Sequence, residues 1–122
     1  MFRKLTESEM DIMEYFWREQ RPITCREILD AGGEEKWSSG YLHNTIRSML
    51  SKGVIRISGK ERVGRFWTKS FEATLTREEY VAKVALSLGA DKDTVIYVIL
   101  AMAEESGNKE FEKEIRMLIE NK

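Results

Sequence analysis

The chain has 122 residues, 42% hydrophobic and 34% charged, with a formal net charge of −1 and a single cysteine, Cys25. That is enough apolar material for one compact domain or a small domain with an extension, and a core modest enough that association would help to stabilise it. One cysteine excludes an internal disulfide, no apolar run approaches the roughly 20 residues of a membrane span, and no signal-peptide apolar region opens the chain, so a cytoplasmic protein without a membrane partner is expected.

The segment Leu5-Thr6-Glu7-Ser8-Glu9-Met10 predicts the start of a first helix. Thr6 can cap the Glu9 N–H while Glu9 reaches back, and Leu5 can staple onto Met10. Met10, Met13, Phe16 and Trp17 supply its apolar stripe, and Pro22 breaks the chain. The same capping pattern recurs at Ile23-Thr24-Cys25-Arg26-Glu27-Ile28, so a second helix starts after Thr24 and ends at Gly32-Gly33. Ile23 itself can form a short strand. A third helix begins at Trp37-Ser38, capped by Ser38 or Ser39. Leu42, Ile46, Met49 and Leu50 fall at i, i+4, i+7 and i+8 on one face, with Gly40, His43, Asn44, Arg47 and Ser51 opposite. Gly53 stops this helix because glycine takes the left-handed conformation without a Cβ penalty. Two strands follow, expected at Val54–Ser58 and Arg65–Ser70, joined by a Gly59–Gly64 turn.

The rest is read as helical. Leu75-Thr76-Arg77-Glu78-Glu79-Tyr80 carries the capping pattern a third time, and Tyr80, Val81, Val84, Ala85 and Leu88 make a stripe closed by Gly89. Asp91 or Asp93 caps a helix holding Val95, Ile96, Val98, Ile99, Leu100 and Met102, too apolar on most faces for a lone surface helix. After a Gly107-Asn108 turn, Phe111, Ile115, Leu118 and Ile119 mark a last amphipathic helix with a Glu112–Arg116 pair. Residues 72–122 thus carry stripes and no obvious core of their own, so burial against a second copy of the chain is expected. Tyr80, Val84, Leu88, Val95, Ile99, Met102, Phe111, Ile115 and Leu118 are the candidate dimer residues.

Charge is unevenly placed. Ser38 to Lys69 carries seven basic residues and one acid, a net of +6, whereas Phe71 to the end carries seven basic and eleven acidic residues, a net of −4. A positive stretch beside an acidic appendage is how a small DNA reader would look. The fold class read from this is mainly α with a small β-hairpin: a winged helix-turn-helix DNA-binding domain over residues 1–71 and a helical dimerisation region over 72–122. The helix suits the major groove and the hairpin an adjacent phosphate backbone or minor groove. Candidate DNA-binding residues on the helix are Ser39, Gly40, Tyr41, His43, Asn44, Arg47 and Lys52; those on the hairpin are Lys60, Arg62 and Arg65. Arg and Asn are the side chains that pair bidentately with guanine and adenine.

Other chemistry finds little support. His43 is the only histidine and lacks partners with metal-ligand spacing, so no metal or cofactor is expected. Cys25 opens a helix, where a thiol pKa falls, but an ordinary helical position is the better reading. Trp17, Trp37, Phe66 and Trp67 are read as core and hinge packing. No nucleophile triad, phosphate loop or acid pair stands out, so an enzyme is not expected. The alternative to a dimeric sequence-specific DNA-binding protein is a winged-helix adaptor using the same faces to bind protein.

Across nearly the whole chain the order and punctuation resemble the penicillinase-repressor family of winged-helix transcriptional repressors. The resemblance is carried by Leu5–Trp17 (L-T-x-x-E-M-D-I-M-x-x-F-W), by Ile23–Ile28, and by Trp37-Ser38 spaced from Ser51-Lys52-Gly53-Val54-Ile55. Arg65-Phe66-Trp67 and Glu78-Glu79-Tyr80 extend it. It implies a homodimer on a pseudo-palindromic double-stranded operator. Where the family usually has Thr-Val-x-Thr and a later Arg, this chain has Tyr41-Leu42-His43-Asn44 and Ser48, which implies a different operator. Antibiotic-responsive members are cut at an Asn-Phe bond by a pathway that starts at a membrane sensor protease; the nearest equivalent here is Glu79-Tyr80. Copper-responsive relatives end in a cysteine-rich segment, and this chain ends E-I-R-M-L-I-E-N-K, so that device is not expected.

Overall fold

A computed structural model describes residues 2–32 and 37–121. Among these residues the chain is mostly helical, with six helices and one three-stranded antiparallel sheet. It divides into two compact units, Met1–Val81 and Ala82–Lys122.

In the first unit, α1 (Glu7–Glu19) opens with the expected reciprocal cap: Thr6 accepts from the Glu9 N–H, and Glu9 accepts from the Thr6 N–H. It buries Ile12, Met13 and Phe16, with Glu9. Met10 and Trp17, placed on the stripe from sequence, are only half-buried. The Trp17 indole N–H donates to the Leu75 carbonyl. The strand β1 (Ile23–Thr24) leads directly into α2 (Cys25–Gly32), whose Thr24–Glu27 cap is also reciprocal. Gly33, expected to help end α2, lies outside the described residues.

The third helix, α3 (Ser39–Lys52), is capped by Ser38, which accepts from the Tyr41 N–H. Leu42, Ile46 and Met49 are buried together with Thr45, whose hydroxyl donates to the Tyr41 carbonyl. Gly53 ends the helix at φ 75°, donating its N–H back to Leu50. Val54 and Ile55 then enter the core.

The hairpin is longer than the sequence pattern suggests. Its strands are β2 (Ile55–Val63) and β3 (Phe66–Ala73), and the sheet order is β1-β3-β2. Val63 pairs with Phe66, so the turn is Gly64-Arg65 and not Gly59–Gly64. Gly64, at φ 63°, supplies the positive backbone angle that a two-residue hairpin turn demands at its first position. Gly59 is instead a ladder residue opposite Ser70, and the register shifts between Ile57 and Gly59, leaving Ser58 as the extra residue of a bulge. The β1 register, Ile23 opposite Phe71 and Thr24 opposite Ser70, anchors the inner half of β3.

The fourth helix, α4 (Arg77–Ser87), starts with the third reciprocal cap, Thr76 with Glu79. Tyr80, expected on a surface shared between copies, lies in the core of the first unit. Its ring stacks obliquely on Phe2 and Trp17 and its hydroxyl accepts from the Leu5 N–H, so it is satisfied inside one chain.

In the second unit, α5 (Val95–Glu105) packs on α6 (Lys109–Glu120). Asp91 precedes α5 and its carboxylate accepts from the Asp93 and Thr94 N–H groups. Asn108 caps α6 through the Phe111 N–H. Arg116 bonds Glu112 one turn back and reaches Glu104 on α5 at 2.8 Å. Ala103 is the one side chain of this unit that is fully closed to solvent among the described residues. Ile96, Ile99, Ile115, Leu118 and Ile119 line an apolar groove between the two helices.

Candidate nucleic-acid interface

On α3, burying Leu42, Ile46 and Met49 turns the opposite stripe outward. Gly40, His43, Asn44, Arg47 and Ser51 are all exposed. Among the described residues, Asn44 and Arg47 make no hydrogen bond or ion pair, so their amide and guanidinium donors face water. His43 folds back: its Nδ1 lies 2.7 Å from the Ser39 carbonyl oxygen. A carbonyl only accepts, so Nδ1 is the donor in this contact. The Tyr41 hydroxyl donates to Ser8 Oγ at 2.9 Å and ties the start of α3 to the start of α1. A Cβ added to Gly40 would meet nothing within 4 Å, so the packing of the chain itself does not require glycine there.

Lys52, placed by sequence with the outward cations, does not join them. Its ammonium lies 2.5 Å from Glu9 Oε1 and also donates to the Lys4 carbonyl. The reason is helical geometry: Lys52 is one turn beyond Ser48, which donates to the other Glu9 oxygen, so both reach the same buried carboxylate.

The bulge decides which side of the hairpin is basic. Before it, Ile55 and Ile57 share a face with Ala73 and Phe71; after it, the even-numbered residues of β2 take that face. Lys60 therefore stands directly opposite Lys69, and Arg62 opposite Trp67, all on one face. Glu61, Val63, Phe66 and Thr68 share the other. Arg56 is neutralised by Glu72 across the ladder at 2.7 Å. Arg47, Lys60, Arg62, Arg65 and Lys69 have no carboxylate partner among the described residues, and all are exposed. Lys69 was not among the sequence candidates; its place opposite Lys60 depends on the bulge, which no residue pattern announced.

Phe66 and Trp67 correct the sequence reading more sharply. They are 75% and 66% exposed and pack in no core, because the ladder carries them beyond the last rung supported by β1. Trp37 is buried, as read.

Elsewhere the charges are already engaged. An open cleft lined by Glu14, Trp17, Arg21 and the segment Glu72–Glu79 has Arg77 bound to Glu14 and stacked over the Trp17 ring, with Arg21 on Glu27. Those pairings hold both carboxyls below the usual range, through the Arg77 and Arg21 guanidinium hydrogen bonds respectively. Burial pushes the Cys25 thiol up. No cluster of three potential metal ligands, and no helix long and apolar enough to cross a membrane, occurs among the described residues.

A family model described as penicillinase repressor matches residues 5–121, nearly the whole chain. No curated protein matches the chain.

Proposed function

The chain belongs to the penicillinase repressor family, a family of DNA-binding transcriptional regulators and not of enzymes, and from that premise we propose that it is a dimeric, sequence-specific repressor that occludes a promoter by binding a pseudo-palindromic operator. The observation that carries the reading is the set of five exposed cations without carboxylate partners, distributed over α3 and the hairpin, beside the free amide of Asn44. Asn44 and Arg47 sit mid-helix, where α3 lying in a major groove would bring them to base edges. Gly40 costs about 1 kcal/mol of helix propensity without serving the packing of the chain, which fits close approach of a phosphate to the start of α3.

The dimer element of the proposal is the second unit. Val95, Ile99, Met102, Phe111 and Leu118 are exposed on α5 and α6, and Leu88 is exposed at the end of α4. Burying apolar surface contributes about 25 cal/mol per Å². A two-fold pair would place two copies of α3 about 34 Å apart, or a multiple of that, on the DNA. In this reading the protein works in the cytoplasm, and an inducing protease is a candidate partner only through the family likeness.

The test is selection of duplex DNA from a random-sequence pool by the intact protein, followed by footprinting at low and raised salt. A protected two-fold-related site whose affinity exceeds that for random duplex by about 10³ or more is the expected result. Equal affinity for all duplexes would replace the repressor reading with that of an adaptor that binds protein.

A further inference from the structure

We propose that the hairpin grips DNA with its aromatic side chains as well as its cations: Trp67 and Phe66 press against the sugars and base edges of a minor groove while Lys60, Arg62 and Lys69 hold the flanking phosphates. The proposal rests on the DNA-binding reading and deepens it.

β1 supports β3 only as far as Ser70, so the rungs from Lys60–Lys69 to Val63–Phe66 form a free two-stranded ribbon. Four residue steps separate Gly59 from Val63, and at about 3.4 Å each they project roughly 14 Å. This ribbon ends in the two most exposed aromatic rings of the first unit, which add nothing to its core. Two large rings exposed at a projecting tip leave apolar surface that a partner can cover.

The charges identify the occupant. Lys60 directly faces Lys69, a like-charge cross-strand pair that is unfavourable in the free protein, and Arg62 faces Trp67 itself. Lys60, Arg62 and Lys69 share the face of Trp67, and Phe66 lies on the opposite face, so a partner must offer anionic groups beside flat apolar surface along one face and a second apolar wall along the other. The minor groove does so, with phosphates along two rims about 6 Å apart and sugars and base edges as walls, and proteins that bind there commonly insert apolar side chains. The Trp67 indole N–H has no partner among the described residues and can only donate. An A·T pair shows only acceptors in the minor groove, whereas G·C adds a donor, so Trp67 favours A·T at the position it reaches.

The test uses the intact protein and a duplex recovered from a random-sequence pool, with binding measured over a range of salt. Lys60→Ala is expected to reduce the slope of log K against log salt by about 0.9. Trp67→Ala and Phe66→Ala are expected to leave the slope unchanged and to lower affinity about tenfold at every salt, the range of an aromatic–nucleotide interaction removed by alanine. Trp67→Phe is expected to keep most of the affinity and lose the A·T preference. Both rings lie outside the core, so these variants fold. Trp67 is also the one tryptophan more exposed than buried, Trp17 being half-buried and Trp37 buried, so iodide quenching of the free protein reports on it and is expected to fall in the complex. Wild-type affinity in both aromatic variants, or undiminished iodide quenching in the complex, would overturn the proposal while leaving the repressor reading intact. Failure of the wild type to bind any duplex would sink both readings together.

Discussion

The Lys52 ammonium sits 2.5 Å from Glu9 Oε1, joining the last turn of α3 to the first turn of α1 with side chains 11% and 2% exposed. Glu9 is also the capping residue of α1 and the acceptor of the Ser48 hydroxyl at 2.7 Å. One carboxylate therefore satisfies a helix start and fixes the far end of the proposed recognition helix. Burial pushes the Glu9 carboxyl up. The hydrogen bonds from Lys52, the Thr6 N–H and Ser48, with the Lys52 charge, outweigh burial and hold it below the ordinary carboxylate range.

Replacing Lys52 with Met leaves that carboxylate buried with one partner fewer. We expect a loss of about 3–5 kcal/mol in urea unfolding, since removing one member of a buried pair strands the other. The depressed pKa sets the sign of the pH effect. The pair stabilises the fold fully above the ordinary glutamate value of about 4.3, and that stability is lost as pH falls through the lower folded value. Glu14 and Glu27 are depressed too and act in the same sense, so the informative quantity is the difference between wild type and Lys52→Met. That difference should shrink on acidification; growth below about pH 4 would contradict the assignment.

Asn44 and Arg47 are predicted to read bases. Alanine at either position should cost about 1–3 kcal/mol on the selected site and relax base preference at one position of each half-site. Competition binding against random duplex decides the matter: an equal loss on both DNAs would mean that these side chains only touch phosphate.

The cations of the hairpin are predicted to set its salt dependence. A Lys60→Ala, Arg62→Ala, Arg65→Ala triple variant should flatten the slope of log K against log salt by about 0.9 for each phosphate that the hairpin no longer neutralises. An unchanged slope in a salt titration would place the hairpin away from DNA.

A truncation that tests the second unit belongs after Val81, not after Phe71, because Tyr80 fills the core of the first unit and its hydroxyl takes the Leu5 N–H. Residues 1–81 are expected to be folded and monomeric by analytical ultracentrifugation. They should bind the full operator about a hundredfold or more weaker than the intact chain, which gains from tethering two half-site interactions. Ile99→Asp in the full chain should also weaken association, because it puts a carboxylate in the apolar groove of α5 and α6. A truncated chain that stays dimeric would move the dimer surface into the first unit.

Local signals were legible wherever the chain bonds to itself a few residues apart. The three Thr-x-x-Glu caps, the Gly53 stop and the Glu112–Arg116 pair appear as read, and Ser38 is the one of two offered serines that caps α3, because each is closed within one turn of backbone. The helical order and the exposure of Asn44 and Arg47 follow from the same 3.6-residue period that buries Leu42, Ile46 and Met49.

What only the tertiary structure decided are matters of distant pairing. Whether Lys52 faces solvent or Glu9, a residue 43 positions away in sequence, depends on how α1 and α3 cross. Whether Tyr80 belongs to a surface or a core depends on where α4 meets Leu5 and Trp17. The basic face of the hairpin depends on one extra residue at Ser58, which reverses the alternation of everything after it and puts Lys60 and Arg62 beside Trp67 and Lys69. A period of two identifies a strand in sequence, but its phase against a partner strand is set by long-range register, and burial then follows from where that register carries each side chain.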